Sequence, residues 1–310
     1  MARRVVPTPS AATAARLPDI GADMDYSLAG RLRLLLRRMP PSIRLCAGLG
    51  VLLVLLAVFA DVVAPYDPNA QSLLKRLKPP LGLEGAADSF VLGTDQLGRD
   101  MLSRCIHGLQ VTLGLASLGA IMSLTVGVTL GLTAGLARGV TESLIMGLVD
   151  LQIAVPFTLV ALFIIAVAGT DLTVLIAVLG IAYWEQYGRI VRGQVLAVRE
   201  LPFIEACRAM GASPWRVAWR HVLPNIASPI IVQVTLIFSQ LVLLESSLSF
   251  LGLGVQPPTA SLGAMVGQGR DYMASAWWVV ASPAALIVLV ALIVLLLGDW
   301  LRDTLDVRLN

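Results

Sequence analysis

Two carboxylates, Asp150 and Glu245, stand in stretches otherwise apolar enough to lie in lipid. A charged side chain there is expensive and must face protein, water or the headgroup boundary, so each is a candidate for lining a route, binding a proton or cation, or bonding between helices. Asp150 falls near one end of its apolar run, where structural hydrogen bonding suffices. Glu245 falls deeper, where a pathway-lining or interhelical role and a buried structural role both fit. Residue type excludes other chemistry. His107 and His221 are the only histidines, and no cysteine pair has zinc-ligand spacing, so no metal site is expected. Cys46, Cys105 and Cys207 fall in a span, an outer segment and an inner loop and are not expected to pair. The only lysines, Lys75 and Lys78, follow no glycine-rich loop, and GxxxxGK[ST] is absent, so the chain is not expected to be an enzyme, to hydrolyse ATP or to bind a cofactor of its own. Paired aspartates at span centres and a Ser-His arrangement are also lacking, against intramembrane proteolysis.

The elements that would position these residues belong to a bilayer. Of 310 residues, 57% are hydrophobic and only 14% charged, far beyond what a soluble core needs. The net charge of +3 comes from arginines gathered in particular loops, the pattern of membrane orientation, and nucleic acid is not an expected partner. Six segments are apolar and long enough to span, at about 43–64, 108–137, 144–168, 172–190, 226–250 and 278–300, the fourth interrupted by Glu185. With both ends in the cytoplasm, 17 of the 23 basic residues fall inside, so the reading is N-in, C-in. Residues 1–42 form a basic cytoplasmic tail ending in an arginine-rich stretch suited to membrane lipid, and 43–310 form the membrane domain. Some forty residues with many arginines precede the first apolar run, too long for an ordinary signal peptide, so the first span is expected to be retained.

Between the fourth and fifth spans lies a polar loop, about 195–224, whose core with one following residue reads EACRAMGASPWRVAWRHVLPN. Pro202 starts a short helix on which Ala206 and Ala209 leave room for a partner's close approach. Gly211 suits a left-handed helix end. Ser213 and Pro214 supply an N-cap and first-turn pair, Trp215, Trp219 and Val222 make an apolar stripe, and Pro224 closes the element. An amphipathic lid at the headgroups is the plain alternative. Elsewhere, Gly127, Gly131 and Gly135 form a small-xxx-small face for a helix or a neighbouring subunit, and Pro156 should kink the third span. Leu97, Met101, Leu102, Ile106 and Leu109 share a face with Arg99, Asp100 and Arg104 off it. That segment should lie on the outer surface before turning in, as an interface anchor or an external partner's contact. Gln256-Pro257-Pro258 is a rigid turn in a re-entrant or surface-packed loop.

The polar loop resembles the EAA loop of ABC-importer permeases, whose coupling helices dock on a cytoplasmic ATPase. By that resemblance Glu205, Ala206, Gly211, Leu223 and Pro224 occupy the coupling positions, with Cys207 replacing the motif's second alanine. LGTDQLGRDMLSRCIHG, SFLGLGVQPPTASLG, SAWWVV and GDWLRDTLDVRLN narrow the resemblance, over about residues 40 to 310, to the C-type subunit of dipeptide and oligopeptide permeases. The resemblance implies an all-α type I permease of six transmembrane helices with a cytoplasmic coupling-helix loop. It also implies a second homologous permease subunit, two ATP-binding subunits holding ATP and Mg2+, and an extracytoplasmic peptide-binding protein. Related permeases handle haem or nickel chelates, and an ion-coupled secondary transporter using Asp150 and Glu245 is the competing class.

Overall fold

A computed structural model describes residues 39–305. The chain divides into Met1–Arg44 and Leu45–Asn310. Within the first unit Arg44 Nε donates to the Met39 carbonyl at 2.9 Å. The basic tail inferred from the sequence otherwise lies outside the described residues.

Among the described residues four helices are long and apolar enough to cross a membrane: α1 (Pro41–Val58), α3 (Met101–Ala137), α11 (Ala227–Phe250) and α13 (Trp278–Leu305). The short α2 (Ala60–Val63) follows α1. The helix α3 is the axis of the bundle. Its 37 residues extend about 55 Å, well past the roughly 30 Å hydrocarbon core of a bilayer. The sequence suggested a separate surface segment over 97–109; instead the helix opens at Met101 and runs unbroken to Ala137. Asp100 fixes that start, because its Oδ2 accepts from the Ser103 backbone N–H at 2.8 Å and from the Ser103 hydroxyl at 2.6 Å. Met101, Ile106 and Leu109 are buried accordingly.

The third apolar segment is two helices, α4 (Gly139–Ala154) and α5 (Phe157–Ala168), bent by 89° and countable together as a fifth span. Proline explains why a kink becomes a corner. Pro156 has no N–H to give and pushes Val155 into an extended conformation, φ −110° and ψ 130°. The fourth segment also breaks, between α6 (Leu172–Ile181) and α7 (Trp184–Val198). The break falls not at Glu185 but at Tyr183, which is left-handed with φ +61°. Gln152 of α4 satisfies the groups freed there. Its Nε2 donates to the Ile181 carbonyl at 2.9 Å and to Glu185 Oε2 at 3.0 Å, and its Oε1 accepts from Trp184 Nε1 at 2.6 Å.

Packing of α7 on α3 explains the glycine series. A Cβ built on Gly131 would stand 2.8 Å from the Gly188 carbonyl oxygen, one on Gly135 would stand 2.6 Å from Val195 Cγ1, and one on Gly127 would collide with Trp184 and Tyr187. The small-residue face is thus filled by a helix of the same chain, letting two backbones meet closely. Leu175, Val178 and Leu179 of α6, Ile237, Leu241 and Leu248 of α11, and Ile287 and Val290 of α13 complete the main core around Leu115 and Ala116 of α3.

Candidate functional site

The polar loop contains α8 (Pro202–Ala209), α9 (Pro214–Val217), a π turn over Ala218–Val222 and α10 (Leu223–Asn225) before α11 begins. Its central turn is a Schellman motif. The Ala212 N–H reaches the Cys207 carbonyl at 3.1 Å and the Gly211 N–H reaches the Arg208 carbonyl at 2.9 Å, with Gly211 at φ +84°. Ser213 then caps α9, its hydroxyl accepting from the Arg216 N–H at 3.3 Å, and Pro214 occupies the first turn.

This turn sorts the side chains into two sets. Ile204, Val217, Val222 and Ile226 are buried among Val128 and Leu132 of α3, Val191, Val195 and Val198 of α7, and Ile230 of α11. Glu205, Ala206, Gly211 and Pro224 are exposed, Leu223 is half-buried, and Met210 and Trp215 are 80% and 70% exposed. Trp215 and Trp219 lie with ring centroids 5.3 Å apart. The expected stripe of Trp215, Trp219 and Val222 is therefore divided. The π turn over 218–222 adds residues per turn relative to an α-helix, and Val222 rotates inward while the tryptophans stay outside. The outer set, apolar knobs beside Glu205, Arg208, Arg216 and Arg220, can insert into a complementary groove; the inner set fastens the loop to three helices.

Asp150 and Glu245 meet different partners. Asp150 Oδ1 lies 2.7 Å from Arg189 Nη2, with both side chains more than half exposed, and Glu142 pairs with Arg192 at 2.6 Å. These pairs join α4 to α7 in antiparallel order. Glu245 is fully buried. Its Oε1 accepts from the Ser249 hydroxyl at 2.7 Å and its Oε2 from Ser246 at 3.4 Å, and the hydroxyls of Thr112 and Ser261 stand close by. Thr112 Oγ1 in turn accepts from the Leu262 N–H at 3.1 Å. Glu245 is therefore held by hydroxyls of its own helix, beside the Thr112–Leu262 bond that ties α3 to the start of α12 (Leu262–Gly269), and among the described residues no base pairs with it. Two hydroxyls hydrogen-bond to a carboxyl that would otherwise be costlier to bury.

At the opposite end of α3 from the polar loop, Arg99, Asp100 and Arg104 are all buried, at 7%, 3% and 3% exposure. Asp95 Oδ2 accepts from Arg99 Nε at 2.6 Å and lies 3.4 Å from Arg104 Nη1. Asp95 Oδ1 takes the backbone N–H groups of Leu97 and Arg99. Trp278 Nε1 donates to the Thr94 carbonyl at 3.1 Å. Arg99, Asp100 and Arg104 thus turn their charges inward and hold a loop, rather than offering them to a partner directly. Asp95 and Gln152 were not singled out from the sequence. Asp95 had a usable signal, since Gly93 and Gly98 flank it at φ +76° and +72° and mark a tightly folded segment. From Arg104 to Leu132 is 28 residues of helix, about 42 Å, so this loop and the polar one stand further apart than a hydrocarbon core is thick.

Residues 127–310 match the family described as the binding-protein-dependent transport system inner membrane component, and residues 45–80 match the N-terminal TM domain of oligopeptide transport permease C. Among curated relatives, the di/tripeptide transport system permease protein DppC of Pseudomonas aeruginosa is 43% identical over 84% of this chain and 86% of its own. The dipeptide transport system permease protein DppC of Escherichia coli is 40% identical over 84% and 87%. A putative peptide transport system permease protein of Brucella suis is 40% identical over 96% and 97%. A chain of the MetNI methionine ABC transporter, in an inward-facing form, shares the fold with TM-score 0.54 at 20% identity, covering 66% of this chain and 97% of that one. The chain belongs to the binding-protein-dependent transport inner membrane components, the permease subunits of ABC importers. Within that class it is a C-type permease subunit of the dipeptide and oligopeptide group, an all-α multi-pass protein of the bacterial inner membrane.

Proposed function

We propose that this chain, with a second permease subunit, forms the route by which peptides cross the inner membrane, driven by ATP hydrolysed with Mg2+ on two partner subunits and not on this chain. Peptides would be delivered by an extracytoplasmic binding protein, for which the loop held by Asp95, Arg99, Asp100 and Arg104 offers a preformed surface. The carrying observation is the polar loop. Its outer face presents Met210, Trp215 and Trp219 beside Glu205, Ala206 and Gly211, while its inner face is locked among α3, α7 and α11. A subunit docked on the outer face moves the helices when it moves. The basic residues favour six crossings with both ends inside, the fourth built from α6 and the start of α7. Asp150 and Glu245, the acids an ion-coupled mechanism would use, each have a structural partner, Arg189 for the first and the Ser246 and Ser249 hydroxyls for the second.

The test is uptake of labelled di- and tripeptides by proteoliposomes carrying this chain with its co-purifying subunits and binding protein. Uptake should require hydrolysable ATP and persist when ion gradients are collapsed. Uptake driven by a proton or sodium gradient without ATP would refute the proposal.

A further inference from the structure

A line of side-chain amides runs through the membrane-embedded part of the chain. Gln233 Nε2 of α11 donates to Gln186 Oε1 of α7 at 3.0 Å, and Gln186 Nε2 donates to Gln240 Oε1 of α11 at 3.3 Å. Gln233, Gln240 and Ser247 are spaced by seven and share one face of α11. Toward the polar loop the line continues with Gln194 of α7 and Asn225, which share with Gln233 a cavity of about 800 Å3 that Arg302 also lines, so the uncharged stretch is the one from Gln233 to Gln240. Gln240 is exposed, and its own NH2 has no partner among the described residues. An amide left against hydrocarbon is costly, so this face needs a polar cover.

We propose that these amides form a track that hydrogen-bonds the backbone of a peptide in transit; the inference rests on the peptide-transport reading. Each glutamine both donates and accepts, as a peptide unit does, so the match is to backbone and not to any one side chain. Rungs seven residues apart are separated by about 10.5 Å of helix, or about three residues of extended peptide. A di- or tripeptide therefore engages one or two rungs at a time and passes from one to the next. Neutrality is part of the function. A fixed charge between Gln233 and Gln240 would hold oppositely charged peptides and repel the others, whereas uncharged amides treat them alike.

The experiment uses the complete reconstituted importer and three labelled peptides, Ala-Ala-Ala, Ala-Lys-Ala and Ala-Glu-Ala. Gln240→Leu and Gln233→Leu should each lower uptake of all three by a similar factor, about 2- to 10-fold, the range one ordinary hydrogen bond supplies. Gln240→Glu, of nearly the same shape, should raise the ratio of Ala-Lys-Ala to Ala-Glu-Ala uptake by at least about fivefold. That ratio is insensitive to how much importer assembles. An unchanged ratio in an assembled, ATP-hydrolysing complex would overturn the track. So would loss of the second permease subunit on purifying any of the variants, which would place these amides in a subunit interface. A wild-type importer that moves no peptide would instead overturn the peptide reading on which the track stands.

Discussion

Replacing Gly211 perturbs the polar loop at its most constrained point, and the structure separates the causes. A Cβ added there meets nothing within 4 Å, so no packing clash enters. The whole penalty is conformational, because at φ +84° an L side chain costs about 1–2 kcal/mol. Against it stand the two hydrogen bonds of the Schellman turn, each contributing about 0.5–1.5 kcal/mol net. Strain of 1–2 kcal/mol lowers the population of the native turn about 5- to 30-fold relative to open alternatives. Gly211→Ala therefore leaves the turn near its margin, and Gly211→Val, burdened further by β-branching, opens it. Asparagine visits the left-handed region more readily, so Gly211→Asn should hold the turn. In proteoliposomes, uptake and peptide-stimulated ATPase activity should rank glycine, asparagine, alanine, valine, with valine near background, while membrane insertion is equal in all four. The reasoning fails if valine transports like glycine, or if asparagine is as damaging as valine.

Three further outcomes follow from buried contacts. Asp95→Ala leaves Arg99 and Arg104 facing each other without their shared carboxylate, and should destabilise the fold by about 3–5 kcal/mol, read as a lower unfolding midpoint in detergent. Gly131→Val drives a side chain into the Gly188 carbonyl and Val191 and should cost about 1–3 kcal/mol or more, seen as reduced folded yield, whereas Gly147→Ala, with open space around it, should not. Glu245→Gln keeps a hydrogen-bonding group for Ser246 and Ser249 and should preserve both stability and uptake, while Glu245→Leu strands these buried hydroxyls and should lower stability by about 1–3 kcal/mol in a thermal-shift measurement.

Local chemistry made the polar loop legible. Gly211, Ser213 and Pro214 are the residues that a left-handed helix end, a cap and a first turn require, and all three occupy those places. Apolar runs revealed the long helices for the same reason, since burial in lipid acts on composition before it acts on contacts. The breaks within the third and fourth runs were less legible. Pro156 announces a disturbance, but a corner of 89° depends on what α4 and α5 pack against. The left-handed Tyr183 carries no signal in its own type, being held by neighbours such as Gln152 that are distant in sequence. Charge misled at Arg99, Asp100 and Arg104, where exposure was the expectation and mutual neutralisation by Asp95 and a helix cap allows burial.

How force from a docked subunit would travel is constrained by what the loop can do alone. Ile204, Val217, Val222 and Ile226 are each at most 1% exposed, wedged among α3, α7 and α11. Withdrawing any one of them would uncover a large apolar side chain, at about 1.5–3 kcal/mol apiece. Sliding the loop over the bundle is therefore costlier than carrying the helices with it. The helix α7 couples most directly, because only 199–201 separate it from α8. It is seated on the glycine face of α3, paired by Arg189 and Arg192 to α4, and joined by Gln186 to α11. A push on Trp215 and Met210 thus reaches α7 and α11 together and bears on the amide line between them. Gly135→Ala would, like Gly131→Val, lower folded yield, and in the fraction that assembles the displaced α7 should let ATP hydrolysis proceed with less uptake per ATP than the unsubstituted importer, measured side by side in proteoliposomes.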